Sequence, residues 1–518
     1  MTDSIDPAPE AAQVKVIFTT TESDIQLPES KRQLLVPADI RRYGLSRILN
    51  SGSMLATDRA IPFDFLVDGV FLRATLADYL REQGLSAETT ITLQYVRSLI
   101  PPVFEASFQH DDWVSAVDVS PAVGAVGGGS NRLLSGSYDG LLRLWNAAGH
   151  VTTVSPDAAS GAGHTSAVKA ARFVTPTQIA SAGLDRTVRI WNYATGERED
   201  QAVEEDHAGP QLLKPTLVLY GHKGSVDRLA VDTATRRVLT ASIDGCVGLW
   251  STSKTSAPAP PAGLLPGAAA GAASTNKKRK VATPAFDIPH RGPLALVHAH
   301  KAAPAAAAIF DPRDRTVAYS AGHDHALCTL DLTTGQVVTT VATSHALLAL
   351  CAVGGGGTGA STLLAAGNAA RNIVLVDPRV SVATTAVMTL RGHTNKVVAV
   401  AASPAGSNGG APALVSGSHD GTCRIWDLRN GRRAMAAAVV GGDGANVGAD
   451  GPAGAQVSEA VYTIDREGRE GQRRPLAGEG VKVFDVVWDA TWGIVSGGED
   501  KRVQINRGRD VFAQGESV

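Results

Sequence analysis

Cysteine is scarce: four among 518 residues, Cys246, Cys328, Cys351 and Cys423, with no C-x-x-C spacing. That excludes a disulfide frame and a cysteine zinc site, and predicts small buried strand residues in a reducing compartment. Long apolar runs are absent as well. No stretch of about eighteen uninterrupted apolar residues occurs, and the opening MTDSIDPAPEAAQ is acidic and lacks the apolar segment of a secretory signal. The expectation is a soluble intracellular protein. Net charge is nearly zero, with 48 basic residues against 50 acidic ones. This argues against a whole-chain electrostatic grip on nucleic acid; only a local basic patch could touch RNA, and direct RNA contact stays open. There is no G-x-S-x-G elbow, phosphate loop or metal-ligand cluster, so no enzyme and no cofactor of its own is expected.

What is present is a repeat. Aspartate stands six residues before tryptophan at Asp139 and Trp145 (SYDGLLRLW), Asp185 and Trp191 (GLDRTVRIW), Asp244 and Trp250 (SIDGCVGLW), and Asp420 and Trp426 (SHDGTCRIW). Looser copies pair Asp324 with Leu330, Asn368 with Val374 and Asp500 with Asn506, making seven. Upstream lie Gly163-His164, Gly221-His222 and Gly392-His393, with His300 and His345 as degraded versions. This is the signature of a WD-repeat β-propeller.

Burial explains these residue types. Four short strands cannot cover both faces of a blade, so blades stack around an axis and bury each other. In each repeat the Asp is expected in a tight turn, accepting from the His, whose ring reaches a strand hydroxyl at Ser137, Ser242 or Ser418. The Trp closes the network from the next strand. The structural tetrads are therefore His164, Asp185 and Trp191; His222, Ser242, Asp244 and Trp250; and His393, Ser418, Asp420 and Trp426. A buried charge is tolerable only when paired. Ser, His and Asp together invite a hydrolase reading, but the trio recurs at fixed offsets in repeat after repeat, without the exposed nucleophile that acyl transfer requires.

At 518 residues the chain exceeds one core. Residues 13–97 read differently from the repeats: an alternating strand VKVIFTT, a second strand in QLLVPADI, helical spacing of Tyr43, Leu45, Ile48 and Leu49, then PFDFLVDGVFLRATLADYL and the strand TTITLQYV. That order is a β-grasp. The fold expected is an N-terminal α+β ubiquitin-like β-grasp domain (13–97), a linker and closing strand (98–110), and an all-β seven-bladed propeller (111–518). Segment 104–110 aligns with the strand before each Gly-His and is expected to complete the last blade, with the tail after Asn506 as competitor. Two inserts, 251–289 and 434–478, are rich in Ala, Gly and Pro and are expected as disordered excursions. The first carries Lys277, Lys278, Arg279 and Lys280, a run with the look of a nuclear import signal.

The segment FDFLVDGVFLRATLADYLREQGLSAETTITLQYVR looks like the second half of ubiquitin, with Leu76, Asp78 and Tyr79 before the final strand, although Arg97 is followed by Ser98, Leu99 and Ile100 instead of a terminal Gly-Gly. With RRYGLSRILN and the junction RSLIPPVFEASFQHDDWVSAVD, the chain resembles the eukaryotic WD-repeat ribosome-biogenesis factor of the PeBoW complex. The resemblance implies a role in pre-rRNA processing and pre-60S maturation, in the nucleolus and nucleoplasm of the nucleus, with pescadillo and the block-of-proliferation protein as partners and no membrane. It further implies that the ubiquitin-like domain is gripped by the adhesion site of the midasin AAA ATPase. There an acidic side chain from the loop GLSAETT, matching Glu88, ligates a Mg²⁺ that the ATPase supplies. A different reading comes from Trp426, Asp427, Leu428 and Arg429, which fit the W-D-x-R pattern of substrate receptors on cullin-type ubiquitin ligases.

Overall fold

The computed structural model describes residues 12–56, 60–86, 88–120, 132–193, 210–265, 288–301, 303–354, 362–379, 387–404, 412–433, 456–467 and 481–508. The first unit is ubiquitin-like. Strands β1 (Gln13–Thr19), β2 (Gln33–Pro37), β3 (Phe63–Val67), β4 (Val70–Phe71) and β5 (Ile91–Arg97) form one sheet in the order β2-β1-β5-β3-β4. The helices α1 (Arg42–Leu49) and α2 (Leu76–Gln83) bury Leu45, Leu49, Leu76 and Leu80 against Phe18, Phe65 and Tyr95. Local chemistry places α2: the Thr75 hydroxyl accepts from the Asp78 amide at 3.1 Å, and Gly84 ends the helix with φ of 65°. Asp68 and Gly69 both have positive φ in the two-residue turn joining β3 to β4, the conformation for which Asp-Gly is suited.

The seven remaining sheets are propeller blades. Their innermost strands begin at Val114, Val168, Val226, Ala305, Leu347, Val397 and Val483, and each touches its neighbours in a closed ring. Strand β6 (Pro102–Gln109) is the outer strand of the seventh blade. It runs antiparallel to Arg502–Gly508, with Phe108 opposite Val503 and Pro102 opposite Gly508, so the start of the propeller closes its end.

Both presumed excursions are partly built into the fold. Within 251–289, Ala257 is buried and the Pro258 carbonyl accepts from the Gly292 amide at 2.8 Å. Lys277, Lys278, Arg279 and Lys280 lie outside the described residues. Within 434–478, Gln456–Glu459 adds a parallel strand to blade 5, and Tyr462–Asp465 is the outer strand of blade 6. Glycine-rich flanks hid these strands, although QVSEAVYTID contains both. Nor are the cysteines uniformly buried: Cys328 and Cys423 are, whereas Cys246 and Cys351 are partly accessible.

Inside the ring lies a cavity of about 390 Å³, walled by side chains that include Asp118, Arg172, Arg228, Val400 and Asp485. Asp485, on the inner strand of blade 7, accepts from Arg172 of blade 2 at 3.0 Å, from Arg228 of blade 3 at 3.1 Å and from the Val117 amide of blade 1 at 3.1 Å. Arg228 also donates to the Val398 carbonyl of blade 6 at 2.7 Å. The carboxylate thus ties four blades together across the axis, and Arg228 adds a fifth. Burial opposes its charge, but Arg172 and Arg228 outweigh that and hold Asp485 below the usual carboxylate range. Asp118 nearby, where burial dominates, is raised to about 6.

Candidate functional site

His164, His222, His300, His393 and His110 each lie between the outer strand of one blade and the inner strand of the next, which they serve, so each staples neighbours; His345, placed likewise before blade 5, is joined among the described residues only through its carbonyl, to the Thr343 hydroxyl. His164 Nδ1 meets Asp185 at 2.8 Å and its Nε2 meets the Ser181 hydroxyl at 2.7 Å, while Trp191 Nε1 donates to the same hydroxyl at 2.8 Å. His222, Asp244 and Trp250 repeat this around Thr240, and His393, Asp420 and Trp426 around Ser416. The hydroxyl is therefore not Ser137, Ser242 or Ser418. In the turns, Ser137, Ser242 and Ser418 accept from the backbone amides of Asp139, Asp244 and Asp420. The imidazole nitrogens face opposite ways, so with Nδ1 on the turn aspartate Nε2 reaches one two-residue step deeper, roughly 6.7 Å along the strand.

Ring nitrogens and carboxylates have settled roles here. Burial pushes His393 down, so its ring is neutral, donating from Nδ1 to Asp420 and accepting at Nε2 from Ser416. For Asp420, burial works against the charge, but the donors of His393, Thr422 and Thr394 hold it well below the usual carboxylate range. Ser181, Thr240 and Ser416 are fully buried, so none can reach a substrate. Burial also pushes the Cys351 thiol up to about 12 and that of Cys423 to about 11, leaving neither a thiolate. The propeller interior is therefore a structural network.

Three staples depart from the pattern. His300 holds Asp324 at 2.9 Å and Ser320 at 3.0 Å without a Trp. His110, one residue past the closing strand, meets Ser135 at 2.8 Å, where Trp145 also donates at 2.7 Å; Asp139 turns instead to Arg143. In blade 7 the histidine position is taken by Arg466, whose guanidinium spans Asp500 at 2.6 Å and the Ser496 hydroxyl at 2.7 Å. Arg466 sits in a segment expected as an excursion. Its only signal in the sequence is its place between the strand at 462–465 and Asp500.

His110 carries a pH prediction. Burial, helped by the Arg143 charge, pushes it down to about 4 from an unfolded value near 6.5. The folded state thus favours the neutral ring. Its contribution is complete above pH 6.5 and is lost as pH falls toward 4, where the loss is about 3 kcal/mol. Melting temperature measured from pH 7.5 to 4.5 should fall more for the wild type than for His110→Gln; parallel curves would refute the assignment.

Glu88 stands in the loop between α2 and β5, exposed, its amide on the Ser86 hydroxyl at 3.1 Å and its carboxylate in no ion pair among the described residues. No group of three His, Cys, Asp or Glu side chains placed to hold a metal occurs among the described residues. Glu88 lies three residues before the start of β5, and the propeller meets the other end of that strand, about 20 Å further along its seven residues.

That junction involves the W-D-x-R segment. Arg429 chelates Asp427 at 2.7 and 3.0 Å and turns into the ubiquitin-like domain, donating to the Arg97 carbonyl at 2.9 Å and lying 3.5 Å from Glu22. Its side chain is only 15% exposed. A substrate-receptor role would need this arginine to face a ligase adaptor, and here it is occupied by its own chain.

Fold and site together define a WD-repeat propeller carrying an N-terminal ubiquitin-like domain, with the polar networks of its blades turned inward. Family comparison agrees: residues 14–80 match the NLE (NUC135) domain, and 103–146, 148–192, 213–251 and 384–427 match the WD domain, G-beta repeat. The chain is 60% identical to the ribosome biogenesis protein YTM1 of Chaetomium globosum, over 97% of this chain and 98% of that protein. It is 57% identical to the Podospora anserina protein of the same name (99% and 100% covered) and to that of Neurospora crassa (98% and 99%). Among solved structures, the WD40 β-propeller domain of Doa1 aligns with 79% of this chain and 98% of its own, at 16% identity and a TM-score of 0.49. The chain belongs to the YTM1 family of ribosome biogenesis proteins.

Proposed function

We propose that this protein is a non-enzymatic scaffold of large ribosomal subunit biogenesis, acting on pre-60S particles in the nucleolus and nucleoplasm. The propeller joins the block-of-proliferation protein and pescadillo, and the ubiquitin-like domain docks through Glu88 on the Mg²⁺ of the midasin ATPase for release from the particle. The observation that carries the docking role is the placement of Glu88: an exposed carboxylate, unpaired among the described residues, at the end of its domain remote from the propeller. A hard Mg²⁺ with an open oxygen position takes such a ligand from outside, and the ion would supply the charge that holds the two proteins together.

Glu88→Gln keeps size but removes the charge, and Glu88→Asp keeps the charge but shortens the reach. Both should weaken Mg²⁺-dependent binding to the isolated adhesion-site domain while leaving assembly with pescadillo and its partner intact. Wild-type binding by Glu88→Gln, or loss of assembly, would end this reading. Nuclear address is assigned to Lys277, Lys278, Arg279 and Lys280. Deleting the four should reduce nuclear accumulation of a fluorescent fusion without changing its melting temperature; an unchanged distribution would remove that role.

A further inference from the structure

The path of the chain between its two units has a mechanical consequence. Strand β5 leaves the ubiquitin-like domain at Arg97, and after four intervening residues the chain enters β6, the strand that closes the propeller. Tension applied near Glu88 would follow β5 directly into β6. A closing strand held by a ladder can be peeled from its end, one hydrogen bond after another, and β6 would give way starting at Pro102 opposite Gly508.

Between β5 and β6, however, the chain is fastened to blade 6. Arg429 holds the Arg97 carbonyl and Glu22, while Asp427, itself buried, holds Arg429. The Gly69 carbonyl accepts from the Gly431 amide at 2.9 Å, and the Phe71 amide donates to Asn430 at 3.4 Å. Leu99 is buried at the seam of blades 6 and 7 among Val415, Ile425 and Val483, and its carbonyl accepts from the Tyr462 hydroxyl at 2.9 Å. These contacts come from both sides of the ubiquitin-like sheet and from the linker, so they break together. Charge-assisted guanidinium bonds are the strongest among them.

We propose that this clasp makes the ubiquitin-like domain and blade 6 one mechanical unit, so that force entering at the Glu88 loop passes into blade 6 and bypasses the closing strand β6. The proposal rests on reading Glu88 as the point of grip, but its test needs no ATPase. Full-length protein would be pulled in optical tweezers between handles on encoded azide side chains at residues 88 and 184, the latter on an exposed turn of blade 2.

In the wild type, β6 should stay in place until the clasp ruptures. Arg429→Ala should show an earlier, lower-force step with a lengthening on the order of the strand's eight residues, roughly 25 Å. Should Arg429→Ala fail to fold, as judged by its melting curve, Glu22→Gln combined with Asn430→Ala loosens the same contact and should shift the step in the same direction. Release of β6 at the wild-type force in the loosened variants would overturn the proposal. Failure of Mg²⁺-dependent capture would instead count against the role of Glu88 and leave this result standing.

Discussion

Asp485→Ala is expected to destabilise the propeller by about 3–5 kcal/mol, because it strips one shared partner from two inward-facing arginines. Arg172 and Arg228 would keep only carbonyl acceptors, among them those of Val117 and Val398. Among the described residues of the cavity wall Asp118 is the remaining acid able to take up part of the charge, and burial already disfavours its ionised form. Urea unfolding should show a lower midpoint for Asp485→Ala. Asp485→Asn should fall between the two, since an amide retains an acceptor but not the charge. A loss below about 1 kcal/mol for the alanine variant would mean that the axial carboxylate adds little to holding the blades together.

The second large effect is expected at Arg466. Its side chain is almost fully buried and supplies at once the pairing of Asp500 and of the Ser496 hydroxyl, the work that a histidine does between other blades. Arg466→Met keeps volume and leaves the Asp500 carboxylate without its cation, at a cost of about 3–5 kcal/mol. Adding Asp500→Asn should recover a substantial part, because removing both charges is far less costly than removing one. The comparison is one of unfolding midpoints at constant slope. If the double variant were no more stable than the single, the pairing would not be the source of the loss.

The sequence by itself determined the repeat count, the turn aspartates, the histidines His164, His222 and His393 and the tryptophans beside them, and the strand order of the ubiquitin-like domain. Each depends on residues close in the chain: a turn, an alternation, a cap, a six-residue step. Glu88 was legible only through family resemblance, since a single loop carboxylate has no pattern; its exposure and distance from the propeller belong to the fold. Tertiary structure alone decided that Thr240 and Ser416, not Ser242 and Ser418, receive the histidines, because that depends on how far the ring reaches along a neighbouring strand.

It also decided that Arg466 replaces a histidine and that Arg429 faces inward. Asp485 and Arg172 are 313 residues apart and meet only when the ring closes. Such pairs leave no periodic trace, since closing a loop of that length sets no constraint on the residues between. Only burial, which makes an unpaired charge costly, requires the partners to be there.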